Sequence, residues 1–241
     1  MACTSGLPWA LGPVAHRGLH DARACIIENT WSAFAAAIAA GYAIETDIQA
    51  AADSEPVVFH DETLTRLTRG FGAVASFSPA ALETIPFKEG GDRILTLGAF
   101  LERVGARVPV YLEVKTAGDG APPGLAEKIA RDLAQYPGPA AVMSFDQAAV
   151  RAMRRLAPQR PRGLVSMRFT KAEWPQLSAI VRFRLTQLLD FPSARADFLA
   201  YHVVDLPHAG VSLLRRLGVP VLAWTVRNEE QRQRAAAYAD A

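Results

Sequence analysis

Short apolar runs alternate with stretches of helical period along nearly the whole chain. Residues 13–15, 42–49, 108–114, 140–144, 162–165, 198–203 and 220–225 read as strands, rich in β-branched or small apolar residues and closed by polar ones. Between them lie helical patterns. Thr30 opens one that runs to residue 40, with Phe34, Ala37 and Ile38 on one face and Gly41 as its stop. Thr96 opens another that ends at Gly105, and Leu125, Ile129 and Leu133 share the face of a third. Asp146 caps a helix carrying Val150, Met153 and Leu156, residues 174–189 and 207–217 are helical, and Asn228 with Gln231 forms a capping box for the last helix. Residues 56–59 make a further extended piece outside the main series. Residues 61–95, punctuated by Gly and Pro, read as irregular.

Strands that alternate with helices and are themselves mostly apolar predict a parallel sheet covered by helices. Seven main strands fall one short of a closed (β/α)8 barrel. The expected fold is α/β, a TIM-like (β/α) barrel lacking the last strand at the C-terminus. It would form a single domain over residues 1–241, with a short substrate-facing insertion at about 61–95 that caps the pocket.

Composition sharpens this in a few places. The chain has 241 residues, 50% of them hydrophobic, enough for one large core, and its net charge of +2 gives no argument for nucleic acid. Acids dominate the first 150 residues and Arg the remainder, which reads as solvated helix faces. The two cysteines, Cys3 and Cys25, have neither metal-ligand spacing nor a disulfide framework. The first residues lack the charged and apolar regions of a leader, and no apolar run is long enough to be a transmembrane segment. A cytoplasmic protein is expected.

Chemistry concentrates at the polar ends of the apolar runs, where α/β folds collect their sites. His16 is followed by Arg17, and His60 by Asp61; two imidazoles can supply a proton donor and a proton acceptor. Because strand side chains alternate, Glu45 and Asp47 share one face, with Ile44, Thr46 and Ile48 on the other, and Tyr111, Glu113 and Lys115 likewise share a face. Acids gathered at a barrel mouth repel one another, and an oxygen-only set suits a hard divalent cation, Mg2+ or Ca2+. Arg17 and Lys115 can hold a phosphate. Each element has a structural alternative: a lone His is more often structural, Glu45 and Asp47 would serve as salt-bridge partners, and Glu28 as a hydrogen-bonding group near a helix start.

The ordered set of motifs resembles the glycerophosphodiester phosphodiesterase family: His16-Arg17-Gly18, Glu28-Asn29-Thr30, Glu45-Thr46-Asp47, His60-Asp61, Leu64-Thr65-Arg66-Leu67-Thr68, Gly70-Phe71-Gly72, Leu95-Thr96-Leu97, Leu112-Glu113-Val114-Lys115, Ser144-Phe145 and Ala223-Trp224-Thr225-Val226. The resemblance implies metal-dependent hydrolysis of glycerophosphodiesters to glycerol 3-phosphate and an alcohol. It implies His16 and His60 as the acid–base pair, Glu45, Asp47 and Glu113 as metal ligands, Arg17 and Lys115 around the phosphate, and Trp224 lining the pocket of a small-molecule substrate. Arg227 stands where the family commonly has Asn. Two readings compete with this: a lysophospholipase D or sphingomyelinase D-like enzyme, and a truncated, non-catalytic barrel that keeps a binding pocket. His20, His202 and His208, and Trp9, Trp31 and Trp174, are expected to be packing residues.

Overall fold

The computed structural model describes residues 12–116 and 122–241; the N-terminal stretch, with Cys3 and Trp9, lies outside them. The strands are β1 (Val14–Ala15), β2 (Ala43–Ala50), β3 (Pro56–Val58), β4 (Val110–Val114), β5 (Ala140–Ser144), β6 (Arg162–Ser166), β7 (Phe198–His202) and β8 (Val221–Trp224). Seven of them form a parallel sheet in the order β1-β2-β4-β5-β6-β7-β8. The helices are α1 (Trp31–Ala39), α2 (Pro79–Thr84), α3 (Leu97–Val104), α4 (Leu125–Gln135), α5 (Gln147–Leu156), α6 (Ala179–Thr186), α7 (Phe191–Ala194), α8 (Ala209–Arg216) and α9 (Glu229–Tyr238). No helix of the described residues is long and apolar enough to cross a membrane.

Strand alternation sorts the core into an inner and an outer layer. Ala43, Tyr111, Ala141, Met143, Val165, Phe198, Ala200 and Leu222 pack together inside the curled sheet. Ile44, Ile48, Leu112 and Val114 face outward, against Phe34 of α1, Phe100 of α3 and Ile129 of α4. Phe198 fills the interior so closely that a Cβ on Gly163 would lie 2.2 Å from its ring, so only glycine fits there.

The fold is the TIM-like barrel without its last strand. Among the described residues no ladder joins β8 to β1. Beyond α9 the chain turns up beside β8: Asp240 N–H donates to the Val221 carbonyl and Ala223 N–H to the Ala241 carbonyl, both at 2.7 Å.

Several local expectations change. Residues 56–59 supply β3, which pairs antiparallel with β2, Ile48 opposite Val58. The segment read as irregular contains α2, whose N-terminus is capped by the Ser78 side chain accepting from Ala81 N–H. Leu64, Val74, Leu82 and Phe87 from this segment form a small core of their own with Val57 and Phe59. Thr30 stands at the start of α1, but its hydroxyl donates to the Ile27 carbonyl instead of accepting from the helix. Leu156 is exposed, because α5 turns only Ala149, Val150 and Met153 inward. In the 174–189 stretch only α6 is a regular helix, flanked by turns on both sides, and it buries none of its side chains.

Candidate active site

Parallel pairing decides where the acids meet. Asp47 on β2 stands directly across from Glu113 on β4, with Glu45 two residues back on the same face of β2. One oxygen from each of Glu45, Asp47 and Glu113 lies within 4.8 Å of the others, and all three residues are buried. Glu45 Oε1 accepts no hydrogen bond from the described residues. A buried trio of carboxylates with an orphaned oxygen is a donor set that fits a hard divalent cation.

Two basic side chains bracket the trio. Lys115 Nζ lies 2.9 Å from Asp47 Oδ1 and also contacts Glu113. Arg17 Nε lies 3.2 Å from Asp47 Oδ2, its Nη1 donates to Glu28 Oε1 at 2.8 Å, and its backbone N–H donates to Glu45 Oε2 at 2.9 Å. That backbone contact needs the tight turn after β1, in which Arg17 and Gly18 both have positive φ. A Cβ on Gly18 would come within 2.8 Å of Ala33, so glycine lets the turn lie against α1.

Asn29 was quoted as part of a motif but given no role by the sequence reading. It is fully buried and holds Asp47: its Nδ2 donates to Asp47 Oδ2 at 2.8 Å, and its Oδ1 accepts from the Thr46 hydroxyl at 2.7 Å. The left-handed φ of 56° that aims it is one Asn tolerates well, the sole signal its position in the sequence offered. Arg66 is the second omission. It binds Asp61 through Nε at 2.6 Å and Glu28 through Nη2 at 2.7 Å, tying the segment after β3 to the loop before α1.

Burial sets the electrostatics. It pushes the Glu45 carboxyl well above the usual carboxylate range, with repulsion from Asp47 and Glu113 adding to the effect. Glu113 moves up for the same first reason, in spite of Lys115. For Asp47 burial pulls upward too, but Lys115 and Arg17 outweigh it and hold the group below its ordinary value. Two basic groups therefore do not fully satisfy three buried acids, and added positive charge would favour their ionised forms.

The two histidines arrive by different routes. His16 directly follows β1, and its Nε2 lies 3.9 Å from Glu45 Oε2. Burial, helped by the neighbouring Arg17 cation, lowers its pKa to about 4, which leaves the ring neutral at neutral pH. His60 is expected at the polar end of the extended piece 56–59, outside the main strands. That piece is β3, an antiparallel return along β2, and Phe59 N–H donates to the Asp47 carbonyl at 3.0 Å, which brings His60 back to the level of the acids. Its Nδ1 lies 2.7 Å from Asp61 Oδ1, an arrangement that fixes the ring and leaves Nε2 available.

His16, Arg17, Glu45, His60, Glu113, Lys115 and Trp224 line one cavity of about 890 Å3. No residue of the 61–95 segment lines it; that segment meets the site through Asp61 and Arg66. Trp224, at the end of β8, stacks on His202 at 4.8 Å and meets Phe145 edge-on at 5.7 Å. Arg227 also borders the cavity. Of the expected packing residues, Trp31 lies under the guanidinium groups of Arg103 and Arg107, His208 packs on Tyr201, and Trp174 joins Phe145 and Phe169.

The profile of the glycerophosphoryl diester phosphodiesterase family matches residues 16–239. The chain is 27% identical over 226 residues to YhdW of Bacillus subtilis (strain 168), an alignment that covers 90% of this chain and 86% of that one. It is 35% identical over 162 residues, 63% of this chain and 65% of the relative, to a glycerophosphodiester phosphodiesterase of Caldanaerobacter subterraneus subsp. tengcongensis. Its fold is similar to that of an Oleispira antarctica phosphodiesterase solved in complex with the product sn-glycerol-3-phosphate, with a TM-score of 0.76, 23% identity, and coverage of 95% of this chain and 90% of that one.

Proposed function

The chain belongs to the glycerophosphoryl diester phosphodiesterase family, and with it to the phosphoric diester hydrolases, and from that premise we propose that it hydrolyses glycerophosphodiesters to glycerol 3-phosphate and an alcohol at the cavity bordered by His16, His60 and Glu113. The observation that carries the reading is the meeting of two imidazoles, three acids and two basic side chains around one cavity. The same set weighs against a non-catalytic relic, since every ionisable member is in place.

Glu45, Asp47 and Glu113 would hold a divalent cation, Mg2+ or Ca2+. With it bound, negative charge on the phosphoryl oxygens is neutralised. Arg17 and Lys115 add fixed positive charge on either side of Asp47, so the diester is held by groups already in position. His16, neutral beside Arg17, takes the proton from the oxygen that attacks phosphorus, that of water in the step that yields glycerol 3-phosphate. His60, whose ring Asp61 orients through Nδ1, gives a proton to the alcohol oxygen as the phosphorus–oxygen bond to it breaks. Asp61 acts through His60 and is a positioning residue.

The test is a substrate panel: glycerophosphocholine and glycerophosphoethanolamine against lysophosphatidylcholine, each with Mg2+ or Ca2+, with release of the alcohol, choline or ethanolamine, followed directly. Turnover of the water-soluble diesters is expected. Strong lysolipid turnover with none of the soluble diesters would overturn the choice of substrate in favour of a lysophospholipase D-like activity.

A further inference from the structure

Between β6 and β7 the chain departs from the simple strand–helix unit. A barrel strand is ordinarily followed by a helix that descends the flank. Here Phe169 N–H, just past β6, donates to the Thr186 hydroxyl at the end of α6, at 3.0 Å. Both ends of the 169–186 excursion are therefore at the rim, and the covering helix is the short α7, whose Phe191 and Ala194 pack with Val150 of α5. None of the side chains of α6 is buried, and Ile180, Phe183 and Leu189 are 74%, 60% and 57% exposed. Singly exposed apolar residues are ordinary, but four within ten positions, Val181 included, concentrate apolar surface on this segment.

Two further features give this patch a direction and a partner. It is joined to the cavity by aromatic rings: Trp174 and Phe169 of the excursion pack at 5.1 Å, both meet Phe145, and Phe145 meets Trp224. Its charge is one-sided. Residues 167–189 carry Arg168, Lys171, Arg182 and Arg184 against Glu173 alone, and only Arg184 is tied to a carboxylate, that of Asp190. Apolar side chains interleaved with Lys and Arg on an exposed segment match the interface of a bilayer with anionic headgroups. A second copy of this chain would bring the same basic residues together and gains nothing from them.

We propose that the 167–189 excursion docks on the surface of an anionic phospholipid bilayer, with Ile180, Phe183 and Leu189 at the acyl boundary and Lys171 and Arg182 among the headgroups. The mouth of the cavity then lies beside the membrane. This binding does not require the phosphodiesterase activity.

The test is co-sedimentation of the full chain with vesicles of phosphatidylglycerol and phosphatidylcholine, and with vesicles of phosphatidylcholine alone, at low and high salt. The wild type is expected to partition to the anionic vesicles and to release at high salt, and the Ile180→Ser/Phe183→Ser variant to bind at least about tenfold more weakly. Glycerophosphocholine turnover by the variant should equal that of the wild type, which shows that it folds. Three results would overturn the proposal: no partition of the wild type, equal partition of the variant, or a wild-type dimer in light scattering that becomes a monomer in the variant. Loss of diester turnover by both proteins, with vesicle binding intact, would instead count against the catalytic reading.

Discussion

The Lys115 ammonium sits 2.9 Å from Asp47 Oδ1 and at the same time contacts Glu113, the residue across from Asp47 in the sheet. The pairing explains how three acids are tolerated in the barrel interior. It also makes Lys115 a structural element of the acid cluster, whatever it adds to phosphate binding. Replacing it with Met leaves the trio with Arg17 as its remaining basic neighbour. We expect Lys115→Met to lose about 3 kcal/mol of stability, the usual result of removing one member of a buried pair. Denaturant unfolding measures it, and added Mg2+ or Ca2+ should recover part of the loss by binding the folded state.

The roles of the two histidines separate with the leaving group. His60→Ala should slow hydrolysis of glycerophosphocholine by at least about 100-fold, the scale of a positioned acid–base group. With a p-nitrophenyl diester, whose leaving oxygen needs no proton, the same variant should lose far less. His16→Ala should lose about 100-fold or more on both substrates, because the attacking oxygen is the same. Equal losses for His60→Ala on the two substrates would reverse its assignment.

Asn29 supports Asp47 from behind, and its effect should appear in metal affinity. Asn29→Gly keeps the left-handed backbone and removes the three side-chain hydrogen bonds, two of them to Asp47. Outer partners of metal ligands are typically worth about 10–100-fold in affinity, so calorimetric titration of the variant should show a weakening of that order, with catalysis partly restored at high metal concentration.

Arg66 predicts a dependence of stability on acid. Burial pulls the Glu28 and Asp61 carboxyls upward, but hydrogen bonds to Arg66, joined by Arg17 at Glu28 and by the His60 hydrogen bond at Asp61, together outweigh it and hold both below their ordinary values. Groups depressed in the folded state stabilise it above the unfolded carboxyl range, and that stability is lost as pH falls through their folded values. Arg66→Met should cost about 1 kcal/mol at pH 7, the upper end for a half-exposed ion pair. The difference from wild type should shrink as pH falls below the unfolded carboxyl values, near about 4. A constant difference from pH 7 to pH 3 would refute the linkage.

Much of this was legible in the chain because it depends on local pattern. The alternation in β2 put Glu45 and Asp47 on one face before any strand pairing was known, and the apolar strands announced the parallel sheet. What stayed hidden depends on pairing between distant segments. The register that sets Asp47 across from Glu113 has no sequence signature. Residues 56–59 were legible as an extended piece but not as the antiparallel return that delivers His60, since a three-residue run such as β3 looks the same in either direction. Asn29 escaped because Asp47 lies 18 positions away, and the bridging role of Arg66 because one of its two partners, Glu28, lies 38 positions away. Leu156 looked like part of a buried face, but the turn of α5 carries it outward.

The central claim is that Glu45, Asp47 and Glu113 jointly hold the cation needed to cleave the diester. Its most direct test is the rate of glycerol 3-phosphate release from glycerophosphocholine by chelated protein as Mg2+ or Ca2+ is added back, for wild type and Glu45→Gln. The account predicts negligible release without the ion, saturable recovery in the wild type, and recovery in the variant that needs much more metal. Full activity after chelation, or the same titration curve for both proteins, would contradict it.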